Sequence, residues 1–190
     1  MEGQGTFIYG NGDVYKGGWR SDQRHGFGIL EKTDKTKYRG NWFDDEMSGY
    51  GKLEAPTGEV YAGNFISGLR HGKGKLRLPC GSVYKGDFRN DEISGFGTMT
   101  KPGCYEYTGH WVNNSMHGQG TIVYPDGSSY TGQFVNDLKH GPGKLREAEG
   151  TEYEGVWDMD QSTALNLLKI NRISRQKVIK PNDINDTSYN

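Results

Sequence analysis

The sequence predicts an all-β protein: an elongated single-layer antiparallel β-meander of seven β-hairpins, built as a repeat array, with a short C-terminal helix or tail. Three observations carry this. The phrase Tyr-x-Gly-x-aromatic returns every 23 residues, the phrase Gly-x-Gly keeps the same step, and a turn signal separates the second phrase from the first. A fixed period of this length is the mark of a repeat architecture.

The tyrosine phrase occurs at Tyr15-Gly17-Trp19, Tyr38-Gly40-Trp42, Tyr61-Gly63-Phe65, Tyr84-Gly86-Phe88, Tyr107-Gly109-Trp111, Tyr130-Gly132-Phe134 and Tyr153-Gly155-Trp157. Alternation puts the three residues of each phrase on one face of a strand. The paired glycines run from Gly3 and Gly5 to Gly141 and Gly143, each pair followed two residues later by an apolar side chain such as Phe7, Leu30 or Leu76. Between the phrases lies a turn, Asn11-Gly12 in the first repeat, which is a strong hairpin signal. Folding there places Phe7 opposite Tyr15, Gly5 opposite Gly17 and Gly3 opposite Trp19. Turns are expected near Gly12, Asp34, Thr57, Cys80, Gly103, Asp126 and Glu149. Lys35 and Cys104 replace the usual turn glycine, which predicts wider turns there.

Glycine normally weakens a strand. Here the seven central glycines, Gly17, Gly40, Gly63, Gly86, Gly109, Gly132 and Gly155, are read as structural. Aromatic rings can lie down over bare backbone beside them. Such a sheet supplies its own apolar layer, which accounts for an apolar content of only 32% beside 12% aromatics and 30 glycines. About fourteen strands are expected, spanning roughly 65 Å at the usual strand spacing and coiled by twist into a strip with a concave face.

The unit GxGxxxxxxGxxYxGxW resembles the MORN repeat, in register seven times between residue 1 and about 157. Phe65, Phe88 and Phe134 stand where the family has Trp. The resemblance implies a repeat module with cytoskeletal and ciliary roles, among them radial-spoke heads, parasite cytoskeletal collars and adaptors for motor tails. It also implies membrane tethering for some members, as in junctophilins and phosphatidylinositol phosphate kinases.

After Trp157 the period stops, so residues 1–160 are read as seven repeats and residues 161–190 as a basic capping segment with a disordered end. Asp160 or Ser162 is expected to cap a helix running to about Lys177, packing Leu165, Leu168 and Ile173 on the last hairpin. Residues 1–160 hold 18 Lys and Arg against 22 Asp and Glu, whereas 161–180 hold five cations and no acid. That segment is also a candidate basic arm for an acidic partner or a membrane surface.

No catalytic, cofactor or metal motif is recognised. His25, His71, His117 and His140 precede Gly-x-Gly, but whole repeats separate them, too far for one zinc ion. Each Gly-x-Gly opens a strand rather than the helix that a phosphate loop needs. The repeats are net acidic, which argues against nucleic acid. No apolar run approaches a membrane span, and MEGQGTFIYG lacks the parts of a signal peptide. Cys80 and Cys104 are expected to stay reduced in a cytoplasmic chain.

The function expected is therefore that of a non-enzymatic scaffold without cofactors. It would hold a helix or strand of a cytoskeletal or axonemal protein on its aromatic and glycine face, in the cytoplasm and its cilium or flagellum. Tyr61, Phe65, Tyr84, Phe88, Tyr107 and Trp111, at the centre, are the expected contacts. A rival surface is the turn edge carrying Asp45, Glu46, Asp91 and Glu92. Alternative roles are a membrane-tethering module and the regulatory repeats of a larger enzyme. Open sheet edges and the tail offer routes to oligomers.

Overall fold

A computed structural model describes residues 1–167. They form a single antiparallel sheet whose spatial order is the chain order. Its strands are β1 (Gly3–Ile8), β2 (Val14–Arg20), β3 (Gln23–Glu31), β4 (Lys37–Phe43), β5 (Glu46–Glu54), β6 (Val60–Ile66), β7 (Leu69–Arg77), β8 (Val83–Arg89), β9 (Glu92–Lys101), β10 (Tyr105–Val112), β11 (Ser115–Val123), β12 (Ser129–Val135), β13 (Leu138–Arg146), β14 (Glu152–Asp158) and β15 (Gln161–Leu167). The register of the first hairpin is the expected one: Phe7 faces Tyr15, Gly5 faces Gly17 and Gly3 faces Trp19. It recurs down the sheet, with Gly28 opposite Gly40, Gly51 opposite Gly63 and Gly74 opposite Gly86.

Two kinds of turn alternate. The longer ones fall where the sequence places them. Neither exceptional turn is wider. Lys35 takes the left-handed conformation itself (φ 79°), and its N–H donates to the Lys32 carbonyl as Gly12 donates to Tyr9. At the other, Gly103 supplies the positive φ of 71° one residue before Cys104.

The second kind is a two-residue turn, both residues left-handed, at Ser21-Asp22, Asp44-Asp45, Ser67-Gly68, Asn90-Asp91, Asn113-Asn114, Asn136-Asp137 and Met159-Asp160. This is the type I′ geometry, which suits the twist of a hairpin and favours Asn, Asp and Gly. Each turn also fastens onto the preceding repeat. The Asp91 N–H donates to the Arg70 carbonyl at 3.0 Å, and Asp91 Oδ1 accepts from the Arg70 N–H at 2.8 Å. The same reciprocal pair joins Asp45 to Arg24, Asn114 to Ile93, Asp137 to Met116 and Asp160 to Lys139. Asp91→Ala should therefore cost about 2 kcal/mol, through a lost acceptor and a side chain poorly suited to φ > 0. Asp91→Asn keeps the acceptor, as Asn114 does, and should stay within about 0.5 kcal/mol in urea melts.

The helix expected from Asp160 or Ser162 is replaced, as far as the description reaches, by a fifteenth strand. Asp160 ends a tight turn (φ 68°) and its carboxylate accepts from the Lys139 N–H at 2.9 Å. It thus fastens its turn to β13 and does not cap a helix. Leu165 stands opposite Gly155 in the ladder. Leu168, Ile173, the remainder of the expected helix and most of the basic arm lie outside the described residues.

Candidate partner-binding face

Alternation gives the sheet two unlike faces. One is the ring face. Tyr15, Tyr38, Tyr61, Tyr84, Tyr107 and Tyr130 stand in a column there, each 0–1% exposed. Each hydroxyl donates to the carbonyl three residues on, Tyr61 to Asn64 at 2.9 Å and Tyr84 to Asp87 at 3.1 Å. That hydrogen bond lays the ring along its own strand and across the paired glycines. A Cβ at Gly63 would sit 2.6 Å from the Gly74 Cα, and one at Gly74 would sit 2.5 Å from Tyr61 Cε2. The same collision meets a Cβ at Gly17, Gly40, Gly86, Gly109 and Gly132. In the last repeat Leu165 of β15, not a second glycine, follows Gly155 in the ladder, and the Tyr153 hydroxyl reaches the Glu147 carboxylate instead, at 3.5 Å.

The first glycine of each Gly-x-Gly has a different cause. Gly26, Gly49, Gly72, Gly95, Gly118 and Gly141 have φ between 65° and 115°. They lie where the register slips, so that Gly28 faces Gly17 but Arg24 faces Trp19. These are bulge residues, for which a left-handed glycine is the usual solution. His25, His71, His117 and His140 lie in strands beside these bulges, not in loops. Asp44 lies 3.3 Å from His25 Nδ1 but off the hydrogen-bonding direction, leaving that nitrogen unpartnered. Among the described residues no group of three or more His, Cys, Asp or Glu is placed to hold a metal ion.

Every tyrosine of the column packs edge-on between two aromatic neighbours, each Phe or Trp. Tyr61 meets Phe65 at 5.1 Å and Phe88 at 5.0 Å between centroids; Tyr84 meets Phe88 at 5.3 Å and Trp111 at 5.5 Å. Each such pair contributes about 0.5–1.5 kcal/mol beyond the area it buries. The chain of edges is continuous from Trp19 to Trp157. Trp111 Nε1 donates to the Gly97 carbonyl at 3.2 Å, whereas the buried Trp19 and Trp42 nitrogens have no partner. Phe65, Phe88 and Phe134 fill the same place without a donor to satisfy.

All six rings expected to touch a partner lie inside this layer: Tyr61 and Tyr84 and Tyr107 at 0%, Phe65 at 1%, Phe88 at 2% and Trp111 at 4% exposed. What this face shows to solvent comes from flanking rows, such as the half-buried Leu53, Met99 and Met47. Arg24 and Arg70 roof the rings, Arg24 Cζ lying 4.1 Å from the Trp42 centroid. At the turn edge, Asp45 and Asp91 are tied up in the fastenings just described, while Glu46 and Glu92 are exposed.

Burial dominates the phenol acidities. Desolvation pushes Tyr15, Tyr61 and Tyr130 up to about 12, and pushes Tyr38, Tyr84 and Tyr107 higher still. Because the folded values are raised above the unfolded one near 10, this stability is complete below pH ~10 and is lost as pH climbs through the folded values. Phenolate absorbance should therefore show the column ionising only together with loss of the sheet's circular dichroism. Ionisation of these tyrosines within an intact sheet would contradict their burial.

The other face is open. It carries Phe27, Tyr50 and Phe96 at 50%, 62% and 49% exposure. Between Tyr50 on β5 and Phe96 on β9 the surface sinks into a shallow trough of about 520 Å³. Ala62 and the backbone of Gly63, Gly74 and Gly86 line it, with Lys73, Lys75 and Lys85 around them. Asp87 binds Lys73 at 2.7 Å and accepts the Phe96 N–H at 2.9 Å. Partial desolvation opposes ionisation of Asp87, but these hydrogen bonds outweigh it and hold the carboxyl below its ordinary value. The signal for this face was present in the sequence inside three of the seven tyrosine phrases, at Lys16, Arg39 and Lys85.

Among the solved structures similar to this chain are three of low identity. The SAS-4 (dCPAP) TCP domain of Drosophila melanogaster, in complex with a proline-rich motif of Ana2 (dSTIL), has a TM-score of 0.45 and 11% identity, covering 80% of this chain and 78% of that one. The TCP10 domain of Danio rerio CPAP in complex with a STIL peptide gives 0.45 and 13%, covering 86% and 83%. A further structure of the wild-type TCP10 domain of Danio rerio CPAP gives 0.46 and 14%, covering 88% and 90%. No curated protein matches the sequence. The MORN-repeat signature matches seven times, at residues 1–14, 15–37, 38–60, 61–83, 84–103, 107–129 and 130–151, and the chain belongs to the MORN-repeat family.

Proposed function

We propose that this protein is a non-catalytic scaffold that presents one long sheet face to a segment of another protein, within an axonemal or other cytoskeletal assembly. The observation that supports this is the inequality of the two faces. One is sealed by its own rings; the other runs across the sheet with half-exposed aromatics and a trough floored by glycine and alanine. A sealed face makes the sheet stable without a second layer, so the open face is free to meet a partner. Bare backbone admits close approach of a helix or strand. Repeats of fixed period make the platform rigid and its length additive.

Proximity labelling by the full chain in ciliated cells tests the reading, scored against an untethered labelling enzyme. Enrichment of axonemal or cytoskeletal proteins is the expected outcome; a labelled set indistinguishable from the control would contradict it. The basic residues Lys169, Arg172, Arg175, Lys177 and Lys180 favour membrane tethering as a second reading. Flotation on anionic vesicles that is lost on removing residues 161–190 would support that second reading over the first.

A further inference from the structure

The open face contains charge pairs that a sheet would not choose for its own stability. The row that runs across it one residue from each tyrosine reads, strand by strand in direct opposition, Lys16, Ile29, Arg39, Lys52, Ala62, Lys75, Lys85. Arg39 thus faces Lys52, and Lys75 faces Lys85. Like charges directly opposite one another destabilise a strand pair. The same row continues beyond Lys85 as Thr98, Thr108, Thr121 and Thr131. There the hydroxyls of Thr98 and Thr108 bond at 2.9 Å, as do those of Thr121 and Thr131. Threonine pairs are what structure alone asks of these positions. The cations occupy the same register, oppose one another at two steps of the ladder and are exposed; Arg39 lies over the Phe27 ring, its Cζ 5.6 Å from the centroid.

Their charge is also uncompensated. Lys52 binds Glu54 at 2.5 Å and Lys73 binds Asp87 at 2.7 Å, but among the described residues Lys16, Arg39, Lys75 and Lys85 make no ion pair. Lys75 and Lys85 stand at the trough, between the rings of Tyr50 and Phe96. Those rings are four strand spacings apart, roughly 19 Å. An extended segment of about six residues, or about three turns of helix, fills that length.

We propose that this trough binds an acidic peptide segment of a partner protein, with carboxylates on Lys75 and Lys85 and apolar side chains against Tyr50 and Phe96. The proposal rests on the scaffold reading and names its site. Charge complementarity selects the occupant. The chain's own C-terminal segment is disfavoured by its sign, since residues 161–190 carry five cations against Asp183 and Asp186, a net charge of +3. A membrane surface does not enter a trough, and the net charge of −1 gives no long-range attraction to anionic lipid or nucleic acid.

The test is selection from a random peptide display library on the full chain, in parallel with two variants. One is the double variant Lys75→Glu with Lys85→Glu. The other is Lys75→Thr with Lys85→Thr, which copies the threonine half of the row. Peptides selected by the parent should be rich in Asp, Glu and aromatic residues, and should weaken as salt rises. Each should bind both variants at least roughly tenfold more weakly, while selection on the glutamate variant should return basic peptides. The threonine variant should melt at a higher temperature than the parent, because the repulsion is gone while binding is lost. Several outcomes overturn the site. They are no enrichment, selected peptides without acidic bias, or equal binding to all three proteins. Tighter binding of a single-stranded oligonucleotide or of anionic vesicles, abolished by the same variants, would replace the peptide with another polyanion. If the threonine variant kept the parent's proximity-labelled partners, the scaffold reading would stand and the trough would not be its site.

Discussion

Tyr84→Ala is expected to destabilise the sheet by about 3–5 kcal/mol, the usual range for deleting a fully buried aromatic side chain. The ring is 0% exposed and lies edge-on to both Phe88 and Trp111, so its removal opens the aromatic column at its centre. It also uncovers the backbone of Gly86 and Gly97, which the ring lies against. Tyr84→Phe separates the two contributions of the side chain. It keeps the ring and loses the hydrogen bond to the Asp87 carbonyl, a change worth about 1 kcal/mol. In an array where each repeat is stabilised mainly by its neighbours, a central gap should also broaden the urea transition. Chemical denaturation of the three proteins, followed by circular dichroism and tryptophan fluorescence, measures both effects. Equal losses for Tyr84→Ala and Tyr84→Phe would mean that the hydroxyl, not the ring, is what the column needs.

Gly86→Val is expected to lose about 2–4 kcal/mol, by overpacking rather than by cavity formation. A Cβ there would meet the Tyr84 hydroxyl, the Gly97 Cα at 2.5 Å and the Phe96 carbonyl oxygen at 2.6 Å. Two of these three are backbone of the adjacent strand and cannot swing aside. Gly81, whose φ is 87° and whose Cβ position is empty, is the matched control. Gly81→Ala strains the backbone by about 1–2 kcal/mol but displaces no neighbour. Tm values of the two variants, compared with the parent, decide whether proximity or conformation sets the glycine requirement. A Gly86→Val protein melting within a degree or two of the parent would remove the basis for rings lying over glycine.

Much of this fold was legible because one period carried several independent signals at once. Phe7, Gly5 and Gly3 count back from the turn as Tyr15, Gly17 and Trp19 count forward, so the register followed from spacing alone. The central glycines were legible for the same reason, since a side chain cannot be absent from one position seven times without a neighbour taking its space. Gly26 and its equivalents answer a different demand, a positive φ at a bulge, and spacing cannot distinguish that cause from room for a ring. The tight turns between repeats lie outside the repeated phrases. Their signal was present in Asn113-Asn114 and Asn90-Asp91, residues suited to paired left-handed conformations. Asp160 reads in the sequence as a helix cap because a lone Asp before an irregular stretch serves either purpose; the period places it in the seventh such turn.

The functional face was less legible. Aromatic residues at the centre of a repeat array suggest binding, and the six chosen rings are central. A ring that covers glycine is itself covered by the next ring, however, so the residues most prominent in the sequence are the least exposed. The open face differs from repeat to repeat, as Lys85 and Thr108 show at the same position of the period. Variation of that kind falls outside a repeat motif and becomes visible only once the register aligns the strands.

The account's central claim is that the tyrosine column is sealed and the opposite face is open. Mass-spectrometric mapping of tyrosine nitration in the free, folded protein tests it directly. Among the tyrosines of residues 1–167, Tyr50, 62% exposed, should be modified first, while Tyr15, Tyr38, Tyr61, Tyr84, Tyr107 and Tyr130 stay unmodified until the sheet unfolds. Modification of Tyr61, Tyr84 or Tyr107 at the rate of Tyr50, with the circular dichroism unchanged, would contradict the claim and return the binding surface to the ring face.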